Sequence, residues 1–120
     1  MKLEKTMQQI PEKEFKKYLA EFKEAKYFAV IKVGGECLEG NLRENLCQDL
    51  RGLHSLGLYP IVVHGGGSEI DKAMKTAGRN IKKIDGKRIT DEFDMPIVVN
   101  TLLNISTRFV SDINQGGYYA

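Results

Sequence analysis

Two stretches of the sequence decide the fold, YFAVIKVGG at residues 27–35 and YPIVVHGGG at residues 59–67. Each begins with a nearly continuous run of β-branched and aromatic residues, which is typical of a strand buried in a parallel sheet. Each run ends in consecutive glycines, and open α/β sheets bind their ligands at the carboxyl ends of their strands. The sequence therefore predicts strands over residues 27–33 and 59–64, with a candidate binding site where the glycines follow them.

Four further segments have apolar residues at helical spacing, and each predicts an amphipathic helix. In chain order, the apolar positions are Phe15, Tyr18, Leu19 and Phe22; Leu42, Leu46, Leu50 and Leu53; Ile70, Ala73, Met74 and Ala77; and Ile97, Leu102, Ile105, Phe109 and Ile113. Pro11 suits the first position of the first helix. Asn41 and Ser68 are the candidate caps of the second and third helices, and Gly57 and Gly78 are expected to end them. Either Asp91 or Asp94 begins the fourth helix, with Pro96 in its first turn.

Two shorter patterns complete the chain. Asp85-Gly86 is a hairpin turn signal, so we predict a small hairpin within residues 80–89. Tyr118 and Tyr119 predict the opening of a third strand. Strands that alternate with helices indicate an α/β fold with a mainly parallel core sheet.

The composition excludes several classes of protein. The chain has 120 residues, 42% of them hydrophobic, which is too apolar for disorder and suits one domain or half of a larger one. Its net charge of +2, from 18 basic and 16 acidic residues, is too small to indicate a nucleic-acid partner. No apolar run approaches the roughly 20 residues of a membrane span, and the charged amino terminus does not resemble a signal peptide.

The two cysteines indicate the compartment. Cys37 and Cys47 are too few for a disulfide framework, and no Cys or His lies at ligand spacing from them. We therefore predict a cytoplasmic protein with no metal site in this chain.

The glycines after the strands are the main candidate site. Lys32 stands near the end of the first strand, and Gly34-Gly35 would let the backbone approach an anion, although a strand-end lysine and a tight turn would look the same. The three glycines at 65–67 favour function more strongly, because a simple turn rarely needs three and the amino terminus of a helix binds anions. They form no Walker loop, and Ile70 breaks the dinucleotide fingerprint.

Two further residues have both a functional and a structural interpretation. Arg88 lies beside the hairpin turn, where its planar guanidinium suits a carboxylate, although by itself it is more typical of a solvated surface residue. His64 directly precedes the glycines, and a structural role for it is as well supported as a catalytic one.

Together, three motifs resemble the amino-acid kinase family. In order they are Lys32-x-Gly34-Gly35, His64-Gly65-Gly66-Gly67 and Gly86-x-Arg88-x-Thr90. The resemblance runs from about Tyr27 to the chain end and is greatest to N-acetylglutamate kinases and to the kinase-like domain of N-acetylglutamate synthases. It implies a three-layer αβα sandwich with a mainly parallel sheet. On this view residues 1–26 are an extension with an amphipathic helix, and residues 27–120 are the amino-terminal, substrate-binding part of a truncated kinase domain.

The resemblance also implies a role for each motif. Lys32 matches the family lysine that neutralises charge on the transferred phosphoryl group. Gly34-Gly35 matches the turn whose N–H groups face the ATP phosphates. Gly66-Gly67 matches the turn that holds the side-chain carboxylate of the substrate, and Arg88 matches the arginine that binds its α-carboxylate.

The implied reaction is phosphorylation of the γ-carboxylate of N-acetyl-L-glutamate by Mg-ATP, a step of arginine biosynthesis. The nucleotide would be held mainly by a second half that these 120 residues do not include, so we expect the piece by itself to be inactive. Arginine is the expected effector, and a homo-oligomer is the expected assembly, with no nucleic acid and no membrane involved.

Two alternatives remain open at this stage. The last helix in the family usually has a glycine and an asparagine where this chain has Leu103 and Ser106. That departure fits the regulatory domain of an N-acetylglutamate synthase, in which a separate domain transfers the acetyl group from acetyl-CoA to glutamate. The other alternative is a non-catalytic amino-acid-binding module, although a sheet of two strands would leave its edges uncovered.

Overall fold

Helices and strands alternate along residues 10–25 and 29–120, the part of the chain that the computed structural model describes. The elements are α1 (Glu12–Glu24), β1 (Val30–Val33), a 3-10 helix (Gly35–Leu38), α2 (Gly40–Ser55), β2 (Ile61–His64), α3 (Gly67–Thr76), β3 (Lys82–Ile84), β4 (Lys87–Ile89) and α4 (Met95–Asn114). The predicted α/β class is therefore confirmed.

Strands β1 and β2 pair in parallel, as the two apolar runs predict. Their register runs from Val30 opposite Ile61 to Val33 opposite His64. Gly65 N–H extends the ladder by donating to the Val33 carbonyl, at 3.1 Å. The first residues of the longer strand predicted at 27–33 lie outside the described residues. Because both strands run in the same direction, the two glycine segments leave the sheet at the same edge.

One face of this small sheet forms the core. Ile31, Val33 and Val62 point to this face and pack against α2 and α4. The buried residues of the core cluster are Val33, Leu38, Cys47, Leu50, Ile105 and Phe109. Most of the predicted apolar stripe of α4 takes part, whereas on α2 the predicted Leu42 is exposed and Cys47 is buried in the core. Leu42 lies in the first turn of α2.

The opposite face of the sheet is open, contrary to the prediction that both faces of these strands are buried. Val30 is 67% exposed, and Ile61 and Val63 on the neighbouring strand are also exposed. Side chains of a strand alternate between the two faces, so these residues share one face with Lys32. No element of the described residues covers that face, and only the inner face loses its contact with water.

The predicted caps of α2 and α3 are wrong. Glu39 precedes α2 and Gly66 precedes α3, and neither helix has a side-chain cap. The hydroxyl of Ser68 instead donates to Glu39 Oε1, at 2.7 Å. Both helices end at left-handed glycines as predicted, with φ of +77° at Gly57 and +69° at Gly78.

The predicted hairpin is confirmed as β3 and β4. Asp85 and Gly86 both have positive φ, 49° and 74°, which is the conformation of the tight turn that Asp-Gly favours. Lys83 joins the hairpin to α3 by an ion pair with Asp71, at 3.1 Å. The hairpin therefore lies beside the amino-terminal half of α3.

Both candidate acids lie at the start of α4. Asp94 immediately precedes the helix, and Asp91 Oδ1 accepts the N–H groups of Phe93 and Asp94. These backbone hydrogen bonds, with Arg79 nearby, hold the pKa of the Asp91 carboxyl below its usual range. Pro96 occupies the first turn, as predicted.

The predicted third strand at Tyr118 and Tyr119 is wrong. The Tyr118 ring packs edge-on against His54, with ring centroids 5.3 Å apart. Ala120 N–H donates to Asn114 Oδ1, so the backbone turns back on the end of α4. Positive φ at Gly116 and Gly117 makes this reversal possible.

Helix α1 forms where the sequence predicts it, and it has no buried residue. The proposed boundary between residues 1–26 and 27–120 falls at positions outside the described residues and stays a prediction. None of the helices in the described ranges has the length and hydrophobicity to cross a membrane.

Truncation of a core aromatic tests the packing of α4. Phe109 is 4% exposed, so Phe109→Ala should lower the free energy of unfolding by about 3–5 kcal/mol. Leu103 lies on the same helix and is 59% exposed, so Leu103→Ala should change it by less than about 0.5 kcal/mol. Urea denaturation measures both, and equal losses would contradict the assignment of the core face.

Candidate functional site

The two glycine loops touch through their backbones. A methyl group added at Gly35 would lie 3.0 Å from Gly66 Cα, 3.2 Å from Gly66 N and 3.4 Å from Gly67 N. Any larger residue at position 35 would force the loops apart. The contact explains why both strands end in glycine, since the two turns meet at the carboxyl edge of the sheet.

Helix α4 packs against the second loop from behind. A methyl group at Gly66 would lie 2.5 Å from Ile105 Cδ1 and 3.2 Å from Leu102 Cδ2. Gly66 is thus enclosed by Gly35 on one side and by α4 on the other. Gly67, by contrast, has open space where a methyl group would stand. Packing therefore requires glycine at position 66 but not at position 67.

The amino terminus of α3 supplies hydrogen-bond donors at this point. The helix begins at Gly67, and the first N–H groups of any α-helix have no partner within the helix. These groups, together with the helix dipole, favour an anion. The Gly67 end of α3 therefore suits a carboxylate or a phosphate.

Arg88 reaches this end of α3 from the hairpin. Its Nη2 donates to Asp71 Oδ1 on α3 and, at 3.4 Å, to the Gly67 carbonyl. Its side chain is only 15% exposed, so the interpretation of Arg88 as a solvated surface residue is wrong. Its Nη1 is buried and has no partner among the described residues. The structure thus brings Arg88 to the second glycine loop.

Asp71 belongs to the site although no sequence pattern singles it out. It pairs with both Arg88 and Lys83, and the hydrogen bond from Arg88 is the main reason that the pKa of the Asp71 carboxyl lies below its usual range. Seventeen residues separate Asp71 from Arg88, and no local pattern indicates that they meet. Only the position of the hairpin against α3 reveals the pair.

Lys32 lies on the open face of the sheet, opposite Val63 in the register. Its side chain is exposed, and among the residues that the structure describes it forms no ion pair. It is two residues from Gly34, so the backbone places it at the same edge as the glycine loops. Its predicted role in neutralising a phosphoryl group stays a prediction.

Three carboxylates surround the loops. Glu36 Oε1 lies 3.4 Å from the position of a methyl group at Gly34, Glu39 accepts the Ser68 hydroxyl, and Glu69 pairs with Arg108 at 2.7 Å. No set of three or more His, Cys, Asp or Glu side chains in the described ranges is placed to hold a metal ion. The predicted absence of a metal site stays a prediction.

His64 is oriented by its own turn. Its Nδ1 lies 3.1 Å from the Gly65 carbonyl and can donate to it. The ring is half-buried at the end of β2, and the structural and catalytic roles considered for it both stay predictions.

The groups gathered at the site are of kinds that suit an anion. It combines two backbone loops, one helix terminus and a largely buried guanidinium, with a lysine on the adjacent face. Such groups position and stabilise negative charge without covalent chemistry, which is what phosphoryl transfer requires of a protein.

Comparisons with known proteins point to one family. The model of the Amino acid kinase family matches residues 28–119. The chain is similar to the acetylglutamate kinases of Psychrobacter cryohalolentis, with 39% identity over 90 residues, and of Methanothrix thermoacetophila, with 38% identity over 102 residues. These matches cover 73% and 83% of this chain but 30% and 35% of the relatives. The chain thus spans about a third of the length of the curated relatives it matches.

Solved structures show the same fold. Two structures of N-acetylglutamate synthase from Neisseria gonorrhoeae, one complexed with coenzyme A and N-acetyl-glutamate and one with coenzyme A and L-arginine, match with TM-scores of 0.63 and 0.62. The identities are 21% and 23%, and the matches cover 88% and 85% of this chain and 26% and 25% of the synthase. The fold of the described residues therefore recurs in a larger protein.

Paired substitutions test the packing of the second loop. Gly66→Ala should lower the free energy of unfolding by about 1–3 kcal/mol because the methyl group meets Ile105. Gly67→Ala, the matched control, should stay within about 0.5 kcal/mol. Adding Ile105→Val removes the Cδ1 atom, so the double variant should lose less than the sum of its single variants. Additive losses in urea denaturation would contradict the close contact.

The ion pairs of Asp71 predict a pH dependence of stability. The folded-state pKa of Asp71 lies below its usual range, so its contribution is present above about pH 4 and is lost as the pH falls through the folded-state value. Asp71→Asn should therefore flatten the acid limb of a plot of unfolding free energy against pH. Glu92→Gln, which removes an acid with no ion pair among the described residues, should leave that limb unchanged. A steeper acid limb in Asp71→Asn would contradict the sign.

Proposed function

Because the chain belongs to the amino acid kinase family, whose model matches residues 28–119, we propose that it is the substrate-binding part of an N-acetylglutamate kinase. The protein would phosphorylate the γ-carboxylate of N-acetyl-L-glutamate with Mg-ATP, in arginine biosynthesis. The similarity to acetylglutamate kinases at 38–39% identity supports this substrate. Since the matches cover about a third of those relatives, the activity belongs to the whole protein and not to these residues alone.

The contact between the two glycine loops beside Arg88 is the observation that carries the proposal. N-acetyl-L-glutamate has two carboxylates, one to be held and one to attack ATP. Two neighbouring groups would suit these carboxylates, the Arg88 guanidinium beside the Gly67 carbonyl and the N–H groups at the start of α3. A dicarboxylate held at both ends presents its reacting oxygen in a fixed position, which lowers the entropy cost of transfer.

Each residue then has a task. Arg88 binds the α-carboxylate, and Gly66-Gly67 holds the γ-carboxylate. Gly34-Gly35 faces the phosphates of Mg-ATP, and Lys32 offsets the charge that develops on the transferred group. Glycine is needed on both sides because the two loops are in backbone contact, with no room for a side chain at Gly35.

The second candidate is the kinase-like regulatory domain of an N-acetylglutamate synthase. The match to the synthase of Neisseria gonorrhoeae favours it, since that protein shares the fold over 88% of this chain. In this case the domain would bind arginine as an effector, and acetyl-CoA would react in another domain. Leu103 and Ser106, on the exposed side of α4 and at its margin, are the departures that fit this alternative.

The exposed face of the sheet argues against an independent binding module. Val30, Ile61 and Val63 form an apolar row that a stand-alone domain would leave in water. We propose instead that the protein acts as a homo-oligomer in the cytoplasm.

Two assays distinguish the candidates. Both use the full-length protein purified from its natural source. A kinase forms an acyl phosphate from N-acetyl-L-glutamate and ATP, which hydroxylamine traps. A synthase acetylates glutamate with acetyl-CoA and turns over no ATP. Acetyl transfer without acyl phosphate would overturn the kinase in favour of the synthase, and the absence of both reactions would overturn both.

Kinetic constants of two variants test the assigned roles. Arg88→Ala should raise KM for N-acetyl-L-glutamate about 10- to 100-fold, because it removes a charge-assisted hydrogen bond that substrate and transition state share. Lys32→Ala should mainly lower kcat, by about 100-fold, because its charge acts on the transition state. Lys87→Ala, an exposed neighbour of Arg88, is the control and should change neither constant. An unchanged KM in Arg88→Ala would remove Arg88 from the substrate site.

A further inference from the structure

The guanidinium of Arg88 is held in an unusual way. Its Nη2 is shared between Asp71 Oδ1 and the Gly67 carbonyl, while its Nη1 is buried without a partner among the described residues. A buried donor without an acceptor costs free energy, and native proteins rarely leave one in place. A ligand oxygen that reached Nη1 would remove that cost.

Asp71 does not neutralise the site. Its second oxygen accepts Lys83 Nζ at 3.1 Å, so one carboxylate is shared by two cations. The Asp71, Lys83 and Arg88 side chains together have a net charge of +1, from two cations and one anion. These three side chains therefore still attract an anion, and the Asp71 carboxylate does not substitute for the carboxylate of a ligand.

The ion pair between Asp71 and Arg88 also fixes the position of the Arg88 guanidinium. Asp71 lies one turn into α3, and Gly67 is the first residue of the same helix. By bonding both, Arg88 is held beside the N–H groups that begin α3. Arg88 comes from a hairpin whose strands are only three residues long and mostly exposed, so β4 alone would not fix a long side chain.

We propose that Asp71 is a positioning residue, which holds the Arg88 guanidinium at the start of α3 so that it can bind a carboxylate of the substrate. The inference rests on the proposed function, since the carboxylate is that of N-acetyl-L-glutamate. Asp71 itself does not touch the substrate. It keeps Nη2 engaged and leaves the rest of the guanidinium for the ligand.

Kinetics of three variants test this role. Asp71→Asn keeps the shape and removes the charge, so KM for N-acetyl-L-glutamate should rise about 10-fold while kcat stays within about twofold. Asp71→Glu restores the carboxylate and should recover most of the loss. Lys83→Met removes the other cation that pairs with Asp71, and thus one of the ion pairs between the hairpin and α3, but it should raise KM less than about threefold.

A double-mutant cycle separates positioning from folding. If Asp71 acts through Arg88, Asp71→Asn should have no further effect on KM in an Arg88→Ala background. A purely structural role would make the two effects multiply, and that result would overturn the inference. A fall in KM in Asp71→Asn would mean that Asp71 competes with the substrate, and it would overturn the inference too.

A measurement on the unaltered protein covers the case in which Asp71→Asn does not fold. NMR of the Arg88 guanidinium in the ligand-free protein should show hindered rotation, because Asp71 already holds Nη2. Free rotation in the ligand-free protein would show that Asp71 does not hold the guanidinium and would overturn the inference. If titration calorimetry finds no binding of N-acetyl-L-glutamate to the wild type, the proposed function fails and the inference with it. If the wild type binds and Asp71→Asn binds equally well, only the inference fails.

Discussion

The contact between Gly35 and Gly66 is the constraint on which the rest of the site depends. Two parallel strands deliver their next residues to the same edge, and only glycine lets the two loops meet, since an added methyl group would stand 3.0 Å from the opposite backbone. Once they meet, the start of α3 is fixed relative to β1. The hairpin then completes the site by placing a guanidinium at that helix terminus, through contacts with Asp71 and Gly67.

Local patterns in the sequence predicted most of the elements. The apolar runs indicated the parallel pair, Asp85-Gly86 indicated the hairpin, and left-handed glycines ended α2 and α3 as expected. The second glycine loop is indicated because three consecutive glycines are costly without a function. These signals all lie within a few residues of the feature that they predict, and for that reason a single sequence reveals them.

The features that the sequence did not reveal depend on contacts between distant parts of the chain. Ser68 is a residue type that commonly caps helices, yet its hydroxyl donates to Glu39. The loops bring the starts of α2 and α3 together, and no local pattern indicates this. Asp71 has no pattern that links it to Arg88. Val30 looks like a core residue, but burial needs a second surface, and the described helices pack on the other face of the sheet. Tyr118 resembles a strand residue, but its ring packs against His54 instead.

The packing of α4 over the second loop also has an evolutionary consequence. The Ile105 side chain occupies the space that a side chain at Gly66 would need, although the two residues lie far apart in the sequence. A larger residue at position 66 is accommodated only after position 105 has become smaller, whereas the reverse order is open, because a small cavity costs less than a clash. In lineages that have lost glycine from this loop, the exchange in the helix should therefore be the older of the two.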